Sequence, residues 1–305
     1  MQRWFRGALG EPTPAQARAW PAIAAGRSTL LLAPTGSGKT LAAFLAGLDR
    51  LMFSPEPAAA DRCRLLYVSP LKALAVDVER NLRVPLAGIA AAAVELGAAH
   101  RVPTLGVRSG DTSMVERARL VRRPPDILIT TPESLYLMLT SGARALLASV
   151  DAIVIDEIHA LVASKRGAHL FVSIERLEAL RRAARPGVAA AQRIGLSATQ
   201  RPLDEVARLL GGSECDVEGL ITPRPVEIAD AGARKLWDLR VEMPAIEQAR
   251  EAATTATTAS TRTGTMSEGT GPKGQVRKGR SRAQAAGSVW PVIYPRLVAL
   301  IRGHR

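Results

Sequence analysis

Cysteine, aromatic side chains and long apolar runs are all scarce in this chain of 305 residues. Its two cysteines, Cys63 and Cys215, are too few for a disulfide framework or a cysteine zinc site, so we expect reduced thiols in a cytoplasmic protein. The Ala-rich stretch 86–99 is too short to cross a bilayer and carries Glu95, and residues 1–6 lack the apolar core of a signal peptide. We therefore expect no membrane partner.

Acidic side chains are fewer than basic ones, 28 against 41, which gives a formal net charge of +13 at pH 7. Residues 249–288 hold seven basic and two acidic side chains, and residues 289–305 hold three more basic ones, so residues 1–248 keep only +5. A positive charge favours an anionic partner, but a basic tail is often simply solvated. Charge alone therefore does not identify nucleic acid as the partner.

Short runs rich in Leu, Ile and Val recur between helical patterns and predict an α/β fold, with a mostly parallel sheet and helices on both faces. The runs are Leu30–Leu32, Leu65–Val68, Ile127–Thr130, Ile153–Ile155 and Ile194–Ser197. Each run ends in small or polar residues. The carboxyl ends of parallel strands lie at one edge of an open sheet, where ligands bind, so we expect a site there.

A glycine-rich loop follows the first run and precedes an apolar helical stretch. It reads Ala33-Pro34-Thr35-Gly36-Ser37-Gly38-Lys39-Thr40. In such a loop the backbone N–H groups and the helix N-terminus bind a polyphosphate, Lys39 reaches the outer phosphates, and the Thr40 hydroxyl binds Mg²⁺. Ala33 stands where the general pattern has glycine. A chance glycine turn is the alternative, but the flanking strand and helix favour a nucleoside triphosphate site.

Two adjacent carboxylates, Asp156 and Glu157, end the run that starts at Ala152. Asp156 can bind the Mg²⁺ shared with Thr40, while Glu157 can orient or deprotonate the attacking water. The alternative is a strand that simply ends at solvent in acidic residues. With a phosphate loop upstream, we interpret the two acids and Lys39 as catalytic residues of an NTPase.

The motifs, taken in order, resemble those of superfamily 2 DEAD/DEAH-box helicases. They are Ala33–Thr40, Ser69–Leu74, Arg108–Thr112, Thr130–Leu135, Asp156–His159 and Ser197–Thr199. The runs 165–170 and 290–297 are similar to the large helicase-related (Lhr) family in particular. The resemblance implies a RecA-like P-loop NTPase domain that uses ATP and Mg²⁺. It also implies a single-stranded or partly duplex nucleic-acid partner, with DNA favoured over RNA and a link to DNA repair.

The resemblance further implies roles for individual residues around the nucleotide. Gln16 would contact adenine and so favour ATP, although an ordinary helix start, with Thr13 as N-cap, explains the same residues. His159 would act with the catalytic acids and hydrogen-bond to Ser197 or Thr199, which would couple the nucleotide to the nucleic acid. The alternative is a capping serine beside a histidine that is satisfied elsewhere.

The nucleic-acid backbone would be bound by the loops that carry the second, third and fourth motifs. The residues concerned are Ser69, Pro70, Lys72, Arg108, Gly110, Asp111, Thr112, Thr131, Pro132 and Glu133. Hydroxyl groups and a helix N-terminus would donate to phosphates without reading sequence. Taken individually, Lys72 and Arg108 are equally consistent with solvated surface charges.

The predicted organisation has four segments. They are a first RecA-like ATP-binding domain at 1–222, a connector with a strand at 223–248, a disordered Thr/Gly-rich basic linker at 249–288, and the first helix of a truncated second RecA-like domain at 289–305. In the family the second domain supplies arginine fingers, worth about 10³–10⁵ in rate. We therefore expect ATP and nucleic-acid binding without unwinding. The alternatives are a catalytically inactive remnant and a P-loop ATPase of another class.

Overall fold

The computed structural model describes residues 1–198, 202–215, 218–232 and 290–303. The chain divides into two compact units, Met1–Arg234 and Lys235–Arg305. In the second unit the described residues form one helix, α10 (Trp290–Gly303). Thr199, the strand expected at 239–243 and the linker expected at 249–288 lie outside the described residues.

Seven strands of the described chain form a fully parallel sheet in the first unit. They are β1 (Thr29–Leu32), β2 (Leu65–Val68), β3 (Leu105–Arg108), β4 (Ile127–Thr130), β5 (Ala152–Ile155), β6 (Gln192–Ser197) and β9 (Glu227–Asp230). Their order across the sheet is β3-β4-β2-β5-β6-β1-β9. A separate antiparallel pair is formed by β7 (Ser213–Cys215) and β8 (Ile221–Pro223).

Helices cover both faces of this sheet. They are α1 (Gln2–Leu9), α2 (Pro14–Ala24), α3 (Lys39–Phe53), α4 (Lys72–Glu95), α5 (Met114–Arg122), α6 (Pro132–Leu139), α7 (His159–Val162), α8 (Lys165–Ala184) and α9 (Leu203–Gly211). One apolar core is built from α1 to α4, and the other from α6, α8 and α9 with a 3₁₀ turn at Gly142–Leu147. The predicted α/β class is confirmed. None of the described helices is long and apolar enough to span a membrane.

The five predicted strands occupy the five central positions of the sheet, from β4 to β1. The sequence pattern missed β3 and β9, which lie at the two edges. Central parallel strands are covered on both faces and are therefore continuously apolar. Edge strands are only partly covered: β3 ends in Arg108, and β9 begins with Glu227 and ends with Asp230.

The first unit extends beyond the boundary predicted at residue 222. Strand β9 pairs with β1 along its whole length, from Thr29 opposite Glu227 to Leu32 opposite Asp230. Residues assigned to the connector therefore complete the sheet of the first unit, which ends at Arg234. The division of the remaining residues into connector, linker and second domain stays a prediction.

Candidate nucleotide site and nucleic-acid interface

The carboxyl ends of strands β1 to β6 all lie along the same side of the sheet, because every pairing between these strands is parallel. The phosphate loop follows β1, the acidic pair follows β5, and Ser197 ends β6. The loops after β2, β3 and β4 carry the predicted nucleic-acid contacts. The expected concentration of motifs at the carboxyl edge is therefore present.

The phosphate loop has a conformation that only glycine adopts readily. Gly36 and Gly38 both have φ of +80°, in the left-handed region. A Cβ added at Gly38 would lie 2.5 Å from Nε2 of Gln16. Gly38 is the N-cap of α3, so the first N–H groups of this 15-residue helix point into the loop. The hydroxyl of Ser37 is buried and has no hydrogen-bond partner among the described residues.

The catalytic residues predicted from the sequence lie together. Lys39 is buried, and its Nζ donates to the carbonyl of Ala33 at 2.8 Å, so the side chain folds back over the loop. Burial lowers the pKa of Lys39, and the carboxylates of Glu157 and Asp156 oppose this shift, so both acids act on the ammonium group. A buried ammonium beside two carboxylates suits a triphosphate bound with a cation.

The acidic pair is held by the strands beneath it. Asp156 is 8% exposed, and its carboxylate accepts from the hydroxyl of Tyr67 on β2 and from the N–H of Glu157 at 2.9 Å. Glu157 has φ of +45°, a left-handed conformation that costs about 1–3 kcal/mol in a non-glycine residue. Such strain is typical of functional sites.

The side chains of Thr40 and Asp156 fit a Mg²⁺ ion that arrives with a nucleotide. Thr40 is half-buried in the first turn of α3, and Asp156 offers one carboxylate. Mg²⁺ is usually held by one or two carboxylates, with water and phosphate oxygens completing its shell. Among the described residues no cluster of three or more His, Cys, Asp or Glu could hold a metal by itself.

Gln16 serves as a helix cap and also touches the phosphate loop. Its Oε1 accepts from the N–H of Thr13 at 3.0 Å, and the Thr13 hydroxyl accepts in return from Gln16, a reciprocal capping box. The Thr13 hydroxyl also donates to the carbonyl of Ser37 at 2.8 Å, and Gln16 Nε2 lies 3.5 Å from the carbonyl of Gly38. The ordinary helix start is therefore present. The adenine contact stays a prediction.

His159 lies between the acids and the end of β6. Its Nδ1 is 3.3 Å from Oε2 of Glu157 and 3.5 Å from Oγ of Ser197. Ser197 is fully buried, and its carbonyl accepts from the N–H of Ala33 at 3.0 Å. The proximity needed for coupling is present. The coupling role itself stays a prediction, and Thr199 is outside the described residues.

Charged groups of the predicted nucleic-acid loops meet around Gly110. Lys72, at the start of α4, donates to Asp111 at 2.6 Å, which joins the loop after β2 to the loop after β3. Arg117 on α5 donates through Nη2 to the carbonyl of Gly110 at 2.9 Å. Arg108 ends β3 and is half-buried beside Arg117. The sequence alone does not indicate Arg117, because only the folded chain brings its side chain to this loop.

Three predicted hydroxyl groups make hydrogen bonds within their own loops. Ser69 is 0% exposed and donates to the carbonyl of Leu71, while Thr131 is 2% exposed and caps α6. Thr112 is half-buried, and its hydroxyl accepts from the N–H of Ser109 at 2.9 Å. These hydroxyls stabilise their own loops, as Ser and Thr commonly do at turns and helix starts. Their contact with a phosphate stays a prediction.

The remaining predicted nucleic-acid residues, Pro70, Pro132 and Glu133, also have structural roles. Pro70 and Pro132 are buried at the turns that start α4 and α6. Glu133 accepts two hydrogen bonds from Arg166, the second at 3.0 Å, and these bonds lower the pKa of Glu133. An anion in a charge pair does not attract phosphate by itself. Glu133 therefore fixes Arg166 of α8 beside the N-terminus of α6.

Tyr67 is a second residue that the sequence pattern concealed. It stands inside the apolar run of β2, where an aromatic side chain is expected to be ordinary core. A buried tyrosine hydroxyl nevertheless needs a partner, which is the one signal that could have identified it. Its partner is the carboxylate of Asp156.

Comparisons with known proteins agree with this geometry. The family model for DEAD/DEAH box helicases matches residues 13–206. The chain is 52% identical over 248 residues to a Lhr helicase/probable uracil glycosylase of Mycolicibacterium smegmatis, covering 81% of this chain and 15% of that protein. It is 42% identical over 307 residues to the Lhr helicase/uracil glycosylase of Escherichia coli, covering 99% of this chain and 18% of that protein.

A solved structure gives the same result for the fold. The helicase Lhr of Mycobacterium smegmatis, bound to ssDNA and AMP-PNP, has a TM-score of 0.70 and 44% identity, covering 99% of this chain and 32% of that one. The chain thus spans less than a third of the length of each of these relatives. Its first unit has the RecA-like helicase fold. The chain belongs to the DEAD/DEAH box helicase family, as a relative of the Lhr helicases.

Proposed function

We propose that this chain is an ATP-dependent motor domain of a helicase or translocase that acts on single-stranded or partly duplex nucleic acid, with DNA favoured. One observation carries the proposal: a single sheet edge holds a phosphate loop with an acidic pair and, beside them, loops with clustered basic side chains. ATP hydrolysis and backbone binding would then occur on neighbouring strands. The relative with bound ssDNA supports DNA as the favoured partner.

The residues at the nucleotide end have separate roles in this proposal. The loop 34–40 and Lys39 bind the phosphates, and the Ser37 hydroxyl is available to a phosphate oxygen. Thr40 and Asp156 would hold Mg²⁺, which neutralises charge on the phosphate oxygens when bound. Glu157 orients the attacking water and takes up its proton.

Further parts of such a helicase would complete the activity. An arginine finger raises hydrolysis by about 10³–10⁵-fold in related NTPases, and in such a helicase a second domain would supply it. A cytoplasmic location is part of the proposal, supported by Cys63 and Cys215 as thiols.

The proposal is tested by nucleotide binding and phosphate release with and without an oligothymidylate strand. Lys39→Ala should abolish binding of a fluorescent ATP analogue, because it removes the buried ammonium group from the loop. Glu157→Gln should keep binding and lower hydrolysis by about 10²–10⁴-fold. Lys165→Ala, at the exposed start of α8, is the control and should behave as wild type.

Three results would contradict the proposal. Wild-type affinity for the ATP analogue in Lys39→Ala would exclude the phosphate loop as the site. Wild-type binding of ATP without any stimulation of hydrolysis by oligothymidylate or oligouridylate would favour the inactive remnant. Binding of neither strand at low salt would favour an ATPase of another class, since contacts to a phosphate backbone strengthen as salt falls.

A further inference from the structure

The side chain of Arg117 contacts a loop outside its own helix. It lies in the first turns of α5 and is half-buried, and its Nη2 donates to the carbonyl of Gly110 at 2.9 Å. Its Nε is buried and has no partner among the described residues. A buried N–H of a guanidinium group without a partner costs free energy, so a ligand that accepts from it would be stabilised.

A second guanidinium group lies beside it. Arg108 is half-buried at the end of β3, and burial together with the charge of Arg117 lowers the pKa of Arg108. Two adjacent cations repel each other, and an anion bound between them removes this cost.

The carboxylates in reach do not neutralise the two arginines. Glu116 faces the start of its own helix, where its carboxylate accepts from the N–H of Ser113 at 3.1 Å and from the Ser113 hydroxyl at 2.9 Å. Asp111 is paired with Lys72, and its side chain is 74% exposed. The group formed by Arg108, Arg117, Lys72 and Asp111 therefore keeps an excess of positive charge.

The backbone at the centre of this group is open to a ligand. Gly110 has no side chain, and a Cβ there would lie 3.3 Å from Nζ of Lys72. Lys72 and Arg117 thus approach Gly110 from two different elements, α4 and α5. The hydroxyls of the same loops face inward, so charged groups are what these loops offer to a phosphate.

We propose that Arg108 and Arg117 together bind one phosphodiester group of the nucleic-acid strand, at the loop centred on Gly110. This inference rests on the proposed function and adds Arg117 to the binding residues. A guanidinium group donates two parallel hydrogen bonds to phosphate oxygens, which an ammonium group does not. The contact is made to the sugar-phosphate backbone and does not depend on base sequence.

The opposing explanation is that Arg117 only stabilises the Gly110 loop. The two roles differ in the salt dependence of binding. A lost phosphate contact lowers the slope of log affinity against log salt by about 0.7 on a single strand, whereas a loosened loop weakens binding without changing that slope.

The experiment measures oligothymidylate binding by fluorescence anisotropy between low and moderate salt. Arg117→Ala and Arg108→Ala should each bind about tenfold more weakly and lose a clear part of the slope, up to about 0.7. Arg117→Lys should keep the slope and bind more weakly, because it keeps the charge and loses the paired donors. Arg119→Ala, an exposed arginine on the same helix, is the control for net charge and should change the slope much less.

Failure of the inference can be distinguished from failure of the proposed function. Affinity of every variant for an ATP analogue reports whether the fold is intact, and Arg117→Gln replaces Arg117→Ala if the latter unfolds. Salt-sensitive wild-type binding with an unchanged slope in Arg117→Ala would overturn the inference alone. Equal slope losses in Arg117→Ala and Arg119→Ala would also overturn it, because general attraction would then explain binding. Absence of wild-type binding at low salt would overturn both.

Discussion

Replacing Tyr67 with phenylalanine removes one oxygen atom from the core and leaves the ring in place, so the variant tests a single hydrogen bond. Tyr67 is 0% exposed, its ring stacks on Phe44 with centroids 5.2 Å apart, and its hydroxyl donates to Asp156. A hydrogen bond to a charged group contributes about 1.5–3 kcal/mol. Because the ring keeps its packing, we expect the free energy of unfolding at pH 7 to fall by about 2 kcal/mol.

The same variant should change how stability responds to alkaline pH. Burial raises the pKa of Tyr67 far above that of an exposed tyrosine, and the Asp156 carboxylate raises it further. The folded protein keeps this proton above pH ~10, where the unfolded chain releases it. The contribution of Tyr67 to stability is therefore complete below that pH and is lost as the pH rises. One proton corresponds to about 1.4 kcal/mol per pH unit, and Tyr67→Phe should lack this part of the slope.

The assay is urea denaturation between pH 7 and pH 11 for wild type, Tyr67→Phe and Tyr136→Phe. Tyr136 is 36% exposed on α6, so its variant is the matched control and should follow the wild type. The affinity for an ATP analogue at rising Mg²⁺ gives a second readout, because a less constrained Asp156 should require more Mg²⁺. Wild-type stability at pH 7 and a wild-type alkaline slope in Tyr67→Phe would together refute the hydrogen bond.

Two further predictions concern the phosphate loop and the link between α6 and α8. Gly38→Ala places a methyl group 2.5 Å from Gln16 Nε2 at φ of +80°, so the affinity for an ATP analogue should fall. The control is Gly97→Ala, which is also at positive φ but has open space around it. This variant should lose about 1–2 kcal/mol of stability and keep its affinity for the analogue. Arg166→Ala should destabilise the fold by less than about 1 kcal/mol at pH 7, since Glu133 and Arg166 are both exposed. Because Arg166 lowers the pKa of Glu133, this difference should be present above the pKa of an unfolded glutamate and vanish in acid, as pH-dependent denaturation would report.

The central sheet and the phosphate loop could be predicted because their requirements are local. A strand covered on both faces must be apolar throughout, and a loop with residues at positive φ must place glycine there, as at Gly36 and Gly38. The edge strands β3 and β9 carry polar residues, since each has a neighbour on one side only. Their place in the sheet depends on pairing partners that are distant in sequence.

The predicted functional side chains also divide into those that local sequence indicates and those that depend on distant packing. Sequence motifs pointed to Lys39 and Asp156, whose proposed roles follow from their position directly after a strand or a loop. Motifs did not reveal which hydroxyls face inward, since the burial of Ser69 and Thr131 depends on the packing of whole loops. Arg117 was missed for a related reason: on the helix it is one of several arginines, and only its contact with Gly110 distinguishes it.

Strand β2 connects the two ends of the site through buried structure. Tyr67 contacts Asp156 at the nucleotide end, and five residues later Lys72 pairs with Asp111 at the nucleic-acid end. Between them the carbonyl of Val68 accepts from the N–H of Asp156 at 3.0 Å. A close-packed strand transmits a displacement because its neighbours leave no space to absorb it. The proposed Mg²⁺ ligand Asp156 and the basic loops are therefore joined by one short segment of backbone, and we expect a change in the position of Asp156 to reach Lys72 through it.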